Sequence, residues 1–308
     1  MSFKYQMELV TMDNYRKIFS GSTVDILDEI RSAVLDDTPI ANFISCCGSD
    51  SYKLGQFRMA LREFIPPKYL NKCLTGRHIQ LIRQIYARRG ESGLNFLEDY
   101  LKSFTHYSFT EDAFCRILET VLHGGDISKI NFGRVQTANM DIVCNGIERG
   151  YPMWLCAEEP LSREMMKLMK QGMLLGVDIH PFLEGDWKTE VVTVILTNAN
   201  AVSVAELLSW VTCKFSLGEV EEVIKAMRFH LDWTLLCAKN TEGEPLFNEF
   251  QMAVISQCLI ADVLTEDIYN PKLSDIEMQD RYMSAVSAKV KTVVRFGGSL
   301  KHGKEVKR

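Results

Sequence analysis

A step of 26 residues constrains this chain more than any other feature. Closely similar phrases begin at 109, 135, 161 and 187, each 26 after the last (135 − 109 = 26). The clearest copy is 161–183, LSREMMKLMKQGMLLGVDIHPFL. Leu161-Ser162 open it, Met166, Met169 and Met173 follow at helical spacing, Gly176 closes it, and Asp178 comes two residues later. The same order runs through 109–130, FTEDAFCRILETVLHGGDISKI, and 135–154, VQTANMDIVCNGIERGYPMW. A period of this size marks stacked helical units, none of which can bury its apolar face without a neighbour.

Each position in the unit has a physical reason. Apolar residues at +5, +8 and +12 from the start make one stripe of a helix of about three turns, too short to be stable alone in water. Thr110, Ser162, Ser216 and Ser274 stand where a hydroxyl can accept from the unpaired amides of a helix start, and Glu111, Asp112, Glu164, Glu219 and Glu277 add charge that suits the helix dipole. At +11 the residues are small (Ala33, Gly146, Gly172, Ala226, Cys258, Ser284), which predicts close approach of a neighbouring backbone. At +15, Gly124, Gly150 and Gly176 can take the left-handed conformation that ends a helix. Asp126, Asp178 and Asp232 then suit a turn into a short second helix. The pattern predicts an all-α fold, a right-handed α-solenoid of about ten short helix–turn–short-helix units of roughly 26 residues.

Residues 1–288 read as a single solenoid, with 1–21 as an N-terminal cap. Leu27, Ile30 and Val34 form the first stripe, with Ala33 as the small residue and Ser22 or Thr23 as the cap. A second helix over 52–64 places Phe57, Ala60 and Phe64 in phase before Pro66-Pro67 stop it. The third starts at Leu74-Thr75, with Ile79, Ile82 and Tyr86. Residues 88–104 are an insertion, readable as a functional loop or as an extra helix packed through Leu94, Phe96, Leu97 and Leu101. The most regular units fill 109–186. The seventh, from Trp187, is diluted by a run that predicts a second helix through Ala205, Leu208 and Val211. Later units start at Phe215, Phe247 and Leu273; in the last, Arg281 takes a normally apolar place, which suits a terminal unit. Residues 289–308 read as a basic, flexible tail.

This phrase resembles the short tandem helical repeats of Gram-positive bacterial proteins and their mobile elements, whose unit has the form [FL]-S-x-x-Q-M-x-x-I-x-x-G-L-x-x-G-L-D-V-S-x-Y. Leu161-Ser162, Met166, Met169, Gly172-Met173, Gly176-Val177-Asp178-Ile179 and Phe182 match it, as do Phe247, Gln251-Met252, Ile255, Leu259 and Val263. Asn270-Pro271, Leu273-Ser274 and Met278 match as well. The resemblance spans 22–288 and is closest over 109–186 and 247–278. It departs at Asp262, which replaces the stop glycine, and in the second half of the seventh unit. It implies a fold and no established chemistry, so it carries no catalytic residue onto this chain.

Composition narrows function by exclusion. A net charge of -5, from 35 Lys+Arg against 40 Asp+Glu, disfavours a general nucleic-acid binder. Nine cysteines without paired spacing read as reduced packing residues. The six histidines form neither HExxH nor zinc spacing, and GxGxxG, GxxxxGK[ST] and GxSxG are all missing from the sequence. The acidic pairs Asp36-Asp37, Glu98-Asp99, Glu158-Glu159 and Glu221-Glu222 fall at turns or exposed helix positions. No catalytic residue, cofactor or metal is therefore expected. With no apolar run of 18 residues, the expected setting is cytoplasmic, without a membrane partner.

The expectation is a non-catalytic protein–protein interaction scaffold. Tyr151, Trp154, Phe182, Trp233 and Tyr269 in the unit endings are its aromatic anchors, beside Arg88 and Arg89. The alternative is a nucleic-acid-binding repeat protein using Arg88, Arg89 and the basic tail. That reading requires a basic residue at one phase in most units, and the exposed places mix Glu, Lys, Arg, Gln and Asn. An unrecognised enzyme or toxin activity is third.

Overall fold

In a computed structural model of the chain, the described residues are 24–103 and 110–299; the expected cap at 1–21 lies outside them. They form helices joined by turns, and the one β-type pairing among them is an isolated bridge between Lys239 and Pro245. The chain separates after Met166 into two compact units, at a point inside the run that the sequence reads as one body. The first holds α1 (Val24–Leu35), α2 (Ala41–Cys47), α3 (Ser51–Arg62), α4 (Gly76–Arg89), α5 (Asn95–Ser103), α6 (Glu111–Leu122) and α7 (Met140–Glu148). The division falls within α8 (Arg163–Leu174). The second unit continues with α9 (His180–Leu183), α10 (Thr189–Thr197), α11 (Val204–Trp210), α12 (Leu217–Arg228), α13 (Glu249–Ala261) and α14 (Asp275–Ser299).

Packing runs largely in chain order. In the first unit α1 lies on α3, α3 on α4, α4 on α6 and α6 on α7; in the second, α10 lies on α12, α12 on α13 and α13 on α14. The stripe positions fill these seams. Phe114, Ile117, Val121, Met140, Val143, Met166, Met169, Val192, Ile195, Val220, Val223, Met252, Ile255 and Met278 are all buried. Burial at this level stabilises by about 1.5–3 kcal/mol per side chain, which is what holds helices of 9 to 14 residues in place.

Helix starts follow the expected chemistry. Thr110 Oγ1 accepts from Ala113 N (3.2 Å), Ser162 Oγ from Met165 N (3.1 Å), Ser216 Oγ from Glu219 N (3.3 Å) and Ser274 Oγ from Glu277 N (3.3 Å). The turn aspartates act as expected too: Asp126 accepts from Ser128 N at 2.9 Å and Asp178 from His180 N at 3.1 Å.

Helix ends follow one rule more strictly than the glycines suggest. A left-handed residue follows α1, α3, α6, α7, α8, α12 and α13, at Asp37, Phe64, Gly124, Gly150, Gly176, His230 and Asp262. The residue after it donates back five positions in each case: Thr38 to Ala33, Ile65 to Ala60, Gly125 to Thr120, Tyr151 to Gly146, Val177 to Gly172, Leu231 to Ala226 and Val263 to Cys258. These bonds define the Schellman ending, with the accepting carbonyl on the small +11 residue. Four of the seven left-handed residues carry a side chain, each at a cost of about 1–2 kcal/mol relative to glycine.

Several local expectations shift. In α1 the buried residues are Ile26 and Ala33, while Val34 is exposed, so the stripe sits one residue earlier than the Leu27–Val34 reading. Phe64 is not a stripe residue: α3 ends at Arg62, and Phe64 is the left-handed residue beyond it, 84% exposed. The insertion folds as a helix, α5, with Leu94, Leu97 and Leu101 buried. The second helix of the diluted unit exists as α11, but it buries Val204 and Leu207 and leaves Ala205 exposed. The tail expected to be flexible from 289 is helical in α14 as far as Ser299, and 300–308 lie outside the described residues. Small +11 residues admit a side chain rather than a backbone: a Cβ at Gly146 would stand 2.5 Å from Met153 Sδ, and one at Gly172 would stand 3.1 Å from Ile179 Cγ2.

Candidate interaction surface

The starts and ends of neighbouring helices lie together, start beside start, and this makes two distinct edges in each unit. At the starts a buried polar side chain clasps the next segment. His78 Nδ1 accepts from Thr75 N, and its Nε2 faces Glu111 O at 3.1 Å at the head of α6. Gln251 Oε1 accepts from Asn248 N, and its Nε2 donates to Leu273 O at 2.8 Å just before α14. Asn139 Nδ2 likewise donates to Leu161 O at 3.0 Å before α8. Burial holds the His78 imidazole below its ordinary pKa, so it makes this clasp in the neutral form. His78 and Gln251 use both of their polar ends in these clasps, whereas Asn139 Oδ1 is buried without a hydrogen-bond partner.

The opposite edge, at the helix ends, is unlike the starts. In the second unit Leu174 (60% exposed), Phe229 (62%) and Ile260 (60%) all stand in the last turn or cap of α8, α12 and α13. Because Gly218 of α12 packs on Glu249 of α13, these two helices start together, and Phe229 and Ile260 project from their common far end. Leu175, beside Leu174, forms one wall of a groove of about 510 Å³ with Val177, Asp178, Pro181, Val202 and Leu208. In the first unit Leu35 (78%) and Phe64 (84%) occupy the corresponding ends of α1 and α3. Arg62 reaches Asp36 across the ends of these two helices at 3.4 Å. Apolar side chains recurring at the ends of successive helices are not the isolated surface residues found on any protein.

The residues singled out from sequence divide differently. Arg88 and Arg89 are exposed at the end of α4, where Arg88 Nη1 donates to Leu122 O (3.4 Å) and Arg89 lies beside Gly124, both at the end of α6. Trp154 is 43% exposed, with Lys129 Nζ 4.3 Å over its ring. Tyr151 is half-buried. Phe182 is buried edge-on to Trp187 at 5.4 Å, and Trp233 is buried edge-on to Trp210 at 6.2 Å. Tyr269 lies on Phe247 and donates its hydroxyl to Leu235 O at 2.8 Å. Phe182, Trp233 and Tyr269 thus pack seams, while Trp154 and the arginines reach the surface. The sequence carries a signal for the exposed apolar ends at +13 and +14: Leu174 and Leu175 (161 + 13, 161 + 14), Phe229 (215 + 14) and Ile260 (247 + 13) are apolar where the stripe calls for polar residues.

The remaining chemistry is quiet. Burial raises the thiols of Cys115, Cys144 and Cys258 to about 11 and those of Cys156 and Cys237 to about 12, so they are protonated at neutral pH. Among the described residues no group of three or more His, Cys, Asp or Glu could hold a metal ion, and no helix is long and apolar enough to cross a membrane. His180 Nδ1 lies 2.7 Å from Asp178 Oδ1 on the surface, where the imidazole and its amide hold that carboxyl below its ordinary range. Comparison with protein-family models, with curated proteins and with solved structures gives no match.

Proposed function

We propose that the chain is a non-catalytic protein-interaction scaffold that docks its partner on the helix-end edge, chiefly that of the second unit. The reading rests on Leu174, Phe229 and Ile260, three large apolar side chains about 60% exposed in the last turn or cap of their helices, at +13 or +14 of the unit. Large apolar groups flanked by polar ones mark association surfaces, and Leu175 with its groove supplies a concave neighbour for a protruding side chain. The same proposal takes the architecture to be about ten units of roughly 26 residues, stacked as a right-handed solenoid. Support comes from the recurring cap, the recurring Schellman ending and the chain-order packing. The likeness to Gram-positive repeat proteins fits this reading.

Affinity capture with the full chain tests it. Leu174→Asp, Phe229→Asp and Ile260→Asp together should cut recovery of a stoichiometric protein partner at least tenfold and leave the circular dichroism unchanged, because all three are exposed. Undiminished recovery would contradict the assignment. So would tight polynucleotide binding that falls steeply with salt and is lost in Arg88→Ala/Arg89→Ala, the outcome the nucleic-acid reading requires.

A further inference from the structure

The last helix is unlike the others. α14 spans 25 residues, about 37 Å, against 12 and 13 in α12 and α13. Its neighbour stops short of it: Lys289 Nζ donates to Ala261 O (2.8 Å) and Asp262 O (2.9 Å) at the end of α13, and α14 continues to Ser299. One face meets α13, with Met278 fully buried and Lys289 bonded to its end. A second face carries Ile276 (74% exposed), Met283 (53%) and Val290 (56%), spaced seven apart (283 − 276, 290 − 283). A seven-residue step drifts by only about 20° per repeat, so the three make a continuous stripe. Asp280 and Ser287, short residues at the intervening i+4 places, let another helix come close.

We propose that this stripe pairs with the same stripe of a second copy, antiparallel, about a two-fold axis at Met283. The spacing is symmetric about that residue (276 + 290 = 2 × 283), so Ile276 of each copy meets Val290 of the other and the two Met283 side chains meet on the axis. Charge selects this direction. Glu277 and Asp280 flank the stripe near its start, and Lys291 flanks it on the same side near its end, all three exposed. Antiparallel pairing about this axis keeps the same flank facing itself, so it brings the acidic flank of one helix to Lys291 of the other and sets the helix dipoles head to tail; parallel pairing turns the flank away from its counterpart and forgoes these contacts. The self-complementary patch is what a closed two-fold contact needs. The stripe and the helix-end edge share no residue, so variants of one leave the side chains of the other in place.

The test uses the full chain with the exposed Cys73 changed to serine. Sedimentation should show a mass rising with concentration from 35.1 kDa towards twice that value, and Met283→Glu should hold it at the lower value with unchanged circular dichroism. Under mild oxidation, Met283→Cys should give a disulfide-linked dimer. Ile276→Cys alone should not, whereas a mixture of Ile276→Cys and Val290→Cys chains should. A mass fixed at the lower value at every concentration would overturn the proposal, and so would self-linkage of Ile276→Cys as efficient as that of Met283→Cys, which marks a parallel pair.

Discussion

The two units use the same helix frame and join it differently. In the first, arginines stitch one helix to the next: Arg58 to Glu29 and Asp36, Arg83 to Glu63 and Gln56, Arg77 to Glu119, Arg116 to Glu148, and Arg163 to Asp141. The Arg116 guanidinium grips Glu148 with both terminal nitrogens, and Thr120 and His123 add contacts to the same carboxylate. In the second unit the corresponding seams rest on Val220, Val223, Met252, Val254 and Ile255, and α13 is apolar on nearly every side, with Phe250 and Ile260 facing solvent. A repeat's stripe therefore fixes the frame while leaving the flanks free. Where the flanks are charged they close the seam, and where they are apolar they are left over as surface. Exposed apolar helix ends occur in both units, at Leu35 and Phe64 in the first and at Leu174, Phe229 and Ile260 in the second; those of the second unit, with the groove beside Leu175, are where docking is proposed.

The largest effect should come from the apolar seam. Met252→Ala is expected to cost about 3 kcal/mol by cavity formation, independent of salt, read from denaturant midpoints. Next, Gly146→Ala forces Met153 aside in an otherwise ion-paired region and should cost about 2 kcal/mol. If it is neutral, Met153 has room that its full burial denies. Glu148→Gln should cost about 1 kcal/mol, and added salt should shrink the difference from the parent, unlike that of Met252→Ala.

Acid should separate the units. Arg116 and Arg163 hold the Glu148 and Asp141 carboxyls below their ordinary range. A depressed carboxyl stabilises the fold above its unfolded pKa, and that contribution disappears as pH falls through the folded value. Amide protection in α6 and α7 is therefore expected to fail at a higher pH than protection in α12 and α13; equal loss would remove the contrast. His78 adds to this from a different range. Its folded pKa lies below the ordinary 6.5, so protonation favours unfolding and stability is lost as pH falls through that region. His78→Gln should abolish this step, because Gln251 makes the same double clasp without titrating. The smallest effect expected is a gain: His230→Gly, relieving a left-handed residue, should stabilise by about 1 kcal/mol.

Much of the frame was legible in the chain because it depends on local chemistry. Caps at Thr110, Ser162, Ser216 and Ser274, and stops at Gly124, Gly150 and Gly176, need only neighbours along the helix. Residues whose role depends on the adjoining helix were not legible. Phe64 hides the stop that glycine advertises and reads as a stripe residue, because the Schellman bonds can hold a side chain in the left-handed place, as they also do at Asp37, His230 and Asp262. Phe182 and Trp233 look like anchors in sequence, and only the seam beside them shows that they are packed. Leu174, Phe229 and Ile260 look like extra core residues, and only the turn that follows each shows that they face out. His78 and Gln251 share a role that no shared residue type announces.

The most direct measurement is site-specific photo-cross-linking from the helix-end edge. A benzophenone amino acid at Phe229 or Ile260 should link to one discrete protein partner, and the same probe at exposed Lys167 or Glu190 should not. Equal yield from all four positions, or linkage only from Lys167 and Glu190, would contradict the assignment of this edge as the docking surface.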